Sequence, residues 1–541
     1  MPDAVVIGAG PNGLVAANIL ASAGWSVVLV EAEETPGGAV KSAEVTAPGF
    51  TSDLYSSFYP LGVASPALRD LHLEAHGLTW SHAPAVLAHQ TPDGRCALLS
   101  RDPAETAASL DEYAGGDGSS WLRLYGRWLE VRDPFIDALF TPFPPIRAAL
   151  RLGAALRLAG GVRFARFAMT TARRLADEEF RGAGGGLLLA GNALHTDVPP
   201  EAAGSGIYGW LLAMLGQEVG FPVPVGGAGR LTDALVSRFA AAGGVLRCNA
   251  AVAGVIVRSG RAVGVRLTDG TEIAAKRAVL ADVSAPQLYL ELLGTDHLPP
   301  QLRADLVRFD WDHATVKVDW ALRAPIPWEA EPARRAGTVH IADGMDEMTR
   351  YAADLAMSRV PENPFLLVGQ LTTADPSRSP EGTESAWAYT HVPHEPRASD
   401  FGPGLPWNAP AVDSVVQRIE ARMEQRAPGF GALVIARHVQ GPADLQRGNR
   451  SLHGGAVNAG TAALHQQLVF RPVPGLARPE TVIGGLYLAS ASAHPGGGVH
   501  GAPGANAAYA AIAHSRPLRR YFAGAAAATH RQVTTGNGRF S

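Results

Sequence analysis

One stretch near the N-terminus constrains the fold more than any other: "DAVVIGAGPNGLVAANILASAGWSVVLVEAEETPGG", residues 3–38. Residues 4–7 are a short apolar run that reads as a buried strand. Gly8, Gly10 and Gly13 follow in G-x-G-x-x-G spacing, and a helix-like run extends from Leu14 to Ala23. A second apolar run, Val27–Val30, ends on Glu31. The three glycines do different things. Gly8 makes a tight turn, Gly10 admits a pyrophosphate against the backbone, and Gly13 lets helix and strand pack closely. The helix start offers unpaired N–H groups and positive potential to phosphates. Glu31 stands where an acid accepts ribose hydroxyls, and it disfavours a 2′-phosphate. A strand–helix–strand unit with a dinucleotide site is therefore expected, which leaves NAD or FAD.

The rest of the chain narrows the class. With 541 residues it is too long for one simple core, so two or three interleaved domains are expected. A net charge of −4 gives no reason to expect nucleic acid as a partner. Cys96 and Cys248 are isolated, which excludes a disulfide framework and a dithiol centre. Among the seventeen histidines, His391 with His394 and His494 with His500 are the densest pairs. Neither has metal-ligand spacing or accompanying carboxylates, so no metal is expected. There is no secretory signal and no apolar run long enough to span a bilayer, so the cytoplasm is the expected compartment. A second dinucleotide fingerprint and a G-x-S-x-G elbow are both missing, which argues against a built-in NADPH domain and against a hydrolase.

Two further segments bear on the cofactor. Residues 222–283 read as a glycine turn opening an amphipathic helix, a strand from Val252, a hairpin at Asp269-Gly270 and a buried strand "RAVLAD". Residues 485–512, "GLYLASASAHPGGGVHGAPGANAAYAAI", read as a strand, a glycine-rich loop and a small-residue helix beginning near Gly504. Together with the Gly37-Gly38 pair and Lys41, these segments resemble the phytoene desaturase type of flavoprotein within the amine oxidase superfamily. The likeness extends to carotenoid ketolases and pyridine nucleotide-disulphide oxidoreductase domain-containing proteins, and is specific over roughly 1–60, 222–283 and 480–515. Read without the resemblance, Gly37-Gly38 is an ordinary turn and 222–283 an ordinary helix–hairpin–strand unit.

The resemblance implies an α/β protein: a Rossmann-like FAD-binding domain interleaved with a mixed-sheet plus helical substrate domain. The FAD-binding parts fall at 1–75, 221–285 and 475–525, the substrate-domain parts at 76–220 and 286–474, and a tail at 526–541. In the first part FAD is expected to meet Gly8, Gly10, Pro11, Asn12, Gly13, Glu31, Ala32, Gly37, Gly38, Ala39 and Lys41. Val252 is expected near the adenine, and Ser490, Ser492, His494, Pro495, Gly498 and Val499 along the C-terminal loop. Ser490, Ala491 and Ser492 leave no acid for the ribityl chain, so a hydroxyl or backbone must serve.

Two segments outside the likeness carry their own signals. Residues 141–175 hold seven arginines and no acid. On one helix over 162–175, Arg163, Arg166, Arg173 and Arg174 would share a face opposite Phe164, Phe167, Ala168 and Leu175. Such a helix either lies on an anionic membrane, giving peripheral association, or is a solvated surface helix over the core. In "ATVKVDWAL", 314–322, the apolar residues alternate with Thr315, Lys317 and Asp319. Lys is scarce here: Lys41, Lys276 and Lys317 are the three present. The polar face meets either water or a working cavity. By resemblance to amine oxidases, Lys317 would hold a water against the flavin. His500 is read either as a proton acceptor beside the flavin or as a residue bonding its own loop. The expected activity is hydride removal from carbon of an apolar substrate, most simply CH–CH desaturation of an isoprenoid-like polyene, with oxygen or a quinone as electron acceptor. Oxidation of a CH–NH bond is the alternative, favoured by an aromatic cage built from Tyr or Trp within 387–407. A non-catalytic lipid binder of the same fold is the third reading.

Overall fold

In the computed structural model, which describes residues 1–515 apart from 143, 398–399 and 401–406, two sheets organise the chain. The expected tail, 526–541, and the last part of the third FAD segment lie outside the described residues. The first sheet is wholly parallel, in the order Leu486–Leu488, Ala278–Ala281, Ala4–Ile7, Val27–Val30, Val245–Arg247. Its central strand, AVVI, is buried at every position. A continuous apolar run is what burial on both faces of a parallel sheet requires. Helix Pro11–Ser22 packs on this sheet and against the last helix, Ala502–Ser515. Small residues permit the approach: a Cβ on Gly504 would lie 1.9 Å from the Asn12 carbonyl, and one on Gly13 2.0 Å from that of Gly8. The three sequence segments assigned to the cofactor thus share one sheet and its helices.

The second sheet has seven strands, in the order Val434–Gln440, Ala314–Leu322, Glu384–Val392, Leu366–Gln370, Ala336–Ile341, Ala85–Gln90, Cys96–Leu99. Neighbours are antiparallel except Ala336–Ile341 with Ala85–Gln90. Helix Ala409–Arg426 covers one face, setting Val415, Val416, Ile419 and Met423 against Val316, Val318 and Trp320. On the other face a helical layer, including Ala183–His195 and Ser205–Val219, packs on the Ala85–Leu99 hairpin and leaves a cavity beside it. The strand Ala314–Leu322 is therefore buried at all nine positions. Its period-two pattern separates an apolar core from a polar interior, and the water-facing reading of Lys317 does not hold.

A buried ionic cluster joins the two halves. Arg378, fully buried, pairs with Asp53 and with Asp375 at 3.4 Å. Asp53 also accepts from Ala228 N at 2.8 Å, and Asp375 from Gly226 N at 2.7 Å. Both bonds end on the turn before helix Gly229–Ala241, so the cluster fixes that helix against the substrate side.

The basic segment differs from its expected form. A single helix over 162–175 is not present: one helix, Ile146–Met169, ends before Thr170, and a second, Ala172–Glu179, starts after Thr171, whose side chain caps it. The hydroxyl cap restarts the backbone, so the four arginines do not form one face. Arg166 and Arg174 both pair with Glu178, and Arg173 pairs with Glu201 and Asp346.

Candidate functional site

A cavity of about 430 Å³ runs from the first G-x-G turn, along the C-terminal glycine loop, to the polar face of the seven-stranded sheet. At one end the strand Ala4–Ile7 releases the chain into Gly8, whose φ of +88° is the left-handed turn only glycine adopts without strain. Gly10 precedes the helix Pro11–Ser22 with no side-chain cap, leaving the helix start for another acceptor. Glu31 is buried, with one oxygen accepting from Ala9 N at 2.7 Å and the other from Glu33 N at 3.0 Å. A carboxylate has further lone pairs, and Glu31 lines the cavity, so acceptor capacity remains for a ribose. Gly37 and Gly38 are more than a surface turn: Gly37 N donates to Ala9 O at 2.8 Å, and a Cβ on Gly38 would stand 3.0 Å from Gly10 Cα.

Of the first-segment residues, Gly8, Gly10, Pro11, Asn12, Glu31, Ala32, Gly38, Ala39 and Lys41 line the cavity, as does Val252. Gly13 and Gly37 do not; they shape the turn from behind. Ser490, Pro495, Gly498, Val499 and His500 line its middle. Ser492 and His494 face elsewhere: Ser492 Oγ donates to Ala459 O at 2.9 Å, and His494 Nε2 lies 3.1 Å from Thr141 O. Both brace the loop. The proton-acceptor reading of His500 also gives way. Its Nδ1 accepts from Ala502 N at 3.2 Å, and Nε2 lies 3.3 Å from Gly497 O. Both nitrogens are engaged within the loop, and burial pushes the imidazole down to about 4.

At the far end stand Thr315, Lys317, Thr338, Trp387 and Tyr389, all on one sheet face, with Lys317 paired in register to Tyr389. Lys317 Nζ is 2.5 Å from Asp319, which is fully buried. Burial pushes the Asp319 carboxyl up while Lys317 draws it down, the first effect being the larger. The Trp387 and Tyr389 rings stack, with centroids 5.6 Å apart and planes 18° from parallel.

Several site residues escape a reading of the sequence. Asp282 ends the strand Ala278–Ala281, and its carboxylate accepts from Gly13 N at 2.7 Å, inside the phosphate turn. Burial pushes it up to about 7, and Glu31 adds to the shift. Asp312 is fully buried and accepts from Val457, Asn458 and Gly460 N at 2.7, 2.8 and 3.0 Å. Arg471, also fully buried, reaches the carbonyls of Thr461 at 2.8 Å and Ala491 at 2.7 Å, and forms no ion pair among the described residues. Burial pushes its guanidinium down to about 10. Asp312 fixes the backbone of 457–460, and Arg471 ties that loop to the C-terminal loop; both loops line the cavity. The partners lie far apart in sequence, so no spacing rule could find them. Asp319, two residues from Lys317 on an alternating strand, was accessible to such a rule.

The turn, the acid, the close glycines and the long lined cavity fit a flavin dinucleotide: Gly10 and the helix start would hold its phosphates, Glu31 its ribose, and the 490–500 loop its ring system. Comparison with known proteins agrees. The family model described as flavin containing amine oxidoreductase matches residues 12–329. The chain is 29% identical to pyridine nucleotide-disulfide oxidoreductase domain-containing protein 2 of Mus musculus, over 94% of this chain and 92% of that one. It is 26% identical to the phytoene desaturase (lycopene-forming) of Pseudescherichia vulneris, over 93% and 96% of the two chains. The solved structure of wild-type putrescine oxidase bound to putrescine shares the fold, with a TM-score of 0.58, 17% identity, and coverage of 94% and 98%.

Two outcomes follow from this geometry. Gly10→Val should abolish FAD retention, because a Cβ there already meets Asp282 Oδ2 at 2.7 Å and a branched side chain would fill the phosphate space. Stoichiometric flavin in the purified variant would remove the dinucleotide site from this turn. For Asp282 the sign is set by its raised value: the folded state holds the proton more tightly than an unfolded Asp near 3.9. Its contribution to stability is thus present below about pH 4 and is lost as pH rises to about 7. Urea unfolding of flavin-stripped protein should show a shallower loss over that window for Asp282→Asn than for wild type. Parallel curves would refute the assignment.

Proposed function

The chain belongs to the flavin-containing amine oxidoreductase family and is an FAD-dependent oxidoreductase, and from that premise we propose that it desaturates a CH–CH bond of an uncharged, largely apolar, isoprenoid-like substrate. The bound flavin supplies hydride acceptance; the protein positions the substrate carbon and excludes water. One observation carries the choice. Among the described residues, the carboxylates lining the cavity are Glu31, Glu33 and Asp282, all at the dinucleotide end. At the other end stands Lys317, whose partner Asp319 is already committed to it. A cationic amine would find a cation and no unpaired carboxylate there, at a desolvation cost of several kcal/mol. Leu139, Phe140, Leu211, Leu212 and Phe221 give the cavity apolar walls. The phytoene desaturase relative, named for forming lycopene, supports a polyene-like substrate.

Amine oxidation is favoured by Trp387 and Tyr389, which fall within the 387–407 window and line the cavity. Their spacing counts against a cage. A substrate between two rings needs about 7 Å, two contact distances of about 3.5 Å, whereas these centroids are 5.6 Å apart. The pair forms one wall. The proposed electron acceptor is oxygen or a quinone.

We assign Lys317 the donor role, holding a water or flavin N5 through an ammonium fixed by Asp319. Lys317→Met alone would leave Asp319 buried without a partner, costing about 3–5 kcal/mol. The informative variant is therefore Lys317→Met with Asp319→Asn. In anaerobic mixing with a panel of polyenes and amines, wild-type flavin should bleach with polyenes. The double variant should keep its FAD and bleach or reoxidise more slowly by about tenfold or more. Bleaching by amines alone would overturn the desaturase reading, and unchanged rates in both half-reactions would overturn the role of Lys317.

Peripheral membrane association is proposed on a surface that includes the helix Ile146–Met169. No helix among the described residues is long and apolar enough to cross a membrane. Leu152, Leu156, Phe164 and Phe167 pack inward, while Ile146, Leu150, Val162 and Met169 are 64–70% exposed. Leu464, Leu468, Val469 and Phe470 are also exposed; a Cβ on Gly204 would lie 3.1 Å from Leu464, and the Gly204 N–H donates to Met169 O at 3.2 Å. Arg147 and Arg163 form no ion pair among the described residues and can meet lipid phosphates. Wild type should sediment with anionic vesicles, less so as salt rises, and Leu150→Glu with Val162→Glu should weaken this without loss of flavin. Salt-insensitive partitioning, equal for neutral vesicles, would return the helix to a solvated role.

A further inference from the structure

Desaturation removes two hydrogens, and one of them leaves as hydride to the bound flavin. The other leaves as a proton and needs an acceptor. Among the described residues, the cavity wall offers few. Its carboxylates, Glu31, Glu33 and Asp282, stand at the dinucleotide end. His500 has both nitrogens engaged within its own loop. Lys317 is an ammonium held by Asp319 and can only donate. Burial pushes the Tyr208 phenol up to about 12 and pushes that of Tyr389 up as well, so both stay neutral and accept a proton poorly.

His195 remains. It ends helix Ala183–His195, is half-buried and lines the cavity. Its ring makes no hydrogen bond among the described residues, and its nitrogens are open, whereas both nitrogens of His340 are sealed. Tyr389 places it relative to Lys317. Lys317 and Tyr389 are register partners on neighbouring strands, and the His195 ring meets the Tyr389 ring edge-on, with centroids 6.4 Å apart. All three side chains line the same cavity. Desolvation pushes His195 down to about 4, so near neutrality it is uncharged and keeps a free lone pair. Its other titratable neighbours, His340 and His391, are pushed down by burial too and add no positive charge. Once protonated, the ring sits at a helix C-terminus, where unpaired carbonyls favour a cation.

We propose that His195 is the proton acceptor of the reaction, taking the hydrogen from the carbon beside the one that loses hydride. One C–H bond breaks with both electrons leaving to the oxidised flavin as hydride. The neighbouring C–H bond breaks with both electrons staying behind as the new C=C bond, and its proton goes to an open nitrogen of His195. A weak base is enough, because hydride loss leaves the substrate electron-poor and acidifies the adjacent C–H. The imidazolium gives its proton to water as product leaves. The inference rests on the desaturase reading and fills the one role that reading leaves without a residue.

Two measurements on the holoenzyme test this. Diethyl pyrocarbonate acylates neutral imidazoles that it can reach, and peptide mass mapping locates each adduct. In wild type His195 should be labelled and His340 should not. An unlabelled His195 would overturn the proposal whatever the substrate is. The second measurement follows anaerobic flavin bleaching by the polyene panel in His195→Ala and His195→Gln. Both variants should keep FAD and bleach more slowly by about a hundredfold or more, the scale of a lost acid–base group. Imidazole added to the Ala variant should raise its rate by about tenfold or more, since it refills the vacated space with a base. It should do nothing for the Gln variant, whose side chain fills that space without a basic nitrogen. Variants as fast as wild type would overturn the proposal. Slowing without rescue would make His195 a positioning residue, and loss of FAD from both variants a structural one; either overturns the acceptor role. Wild-type flavin bleached by amines and by no polyene would overturn the desaturase reading and the proton step with it, while a labelled His195 would still stand in the cavity.

Discussion

Everything about the site depends on which strands flank Ala4–Ile7. On one side it pairs with Val27–Val30, and on the other with Ala278–Ala281, which in turn pairs with Leu486–Leu488. In a parallel sheet all strands end at the same edge, so the loops that follow them meet there. The turn at Gly8, the acid at Glu31, the carboxylate of Asp282 and the loop from Ser490 are each the first residues beyond one of these strands, or close to it. Residues almost five hundred positions apart are thereby made neighbours by a few strand pairings. Close packing of Gly504 on the Asn12 backbone then draws the first and last helices together behind that edge, while Gly13 lets the first helix close on its own turn.

Charge is used sparingly in the interior, and each buried charge has a local reason. Asp312 gathers three backbone N–H groups, and Arg471 gathers carbonyls from two loops. Hydrogen bonds to charged groups contribute about 1.5–3 kcal/mol each, enough to set loop conformations that apolar packing would leave free. Arg378 does the same between the two halves through Asp53 and Asp375. Lys317, paired with Asp319, differs in lining the cavity; the buried pair is weak support for stability, and it fixes the direction of the ammonium.

What the chain determined by itself was local. The G-x-G-x-x-G turn, the acid at 31, the apolar strand runs and the alternation of 314–322 depend on neighbours within a few tens of residues, so periodicity and turn chemistry expose them. The resemblance carried by three short motifs was enough for the fold class and the cofactor. Tertiary structure decided where side chains point. Ser492 and His494 belong to a motif but turn toward Ala459 and Thr141, because the loop must be braced before it can line anything. The hydroxyl cap of Thr171 divides a basic segment whose composition reads as one helix. Lys317 looked equally suited to water or cavity, because period two records only that its two faces differ. The strands flanking it on both sides and the helical layer across the cavity bury the polar face, and no pattern within nine residues contains them.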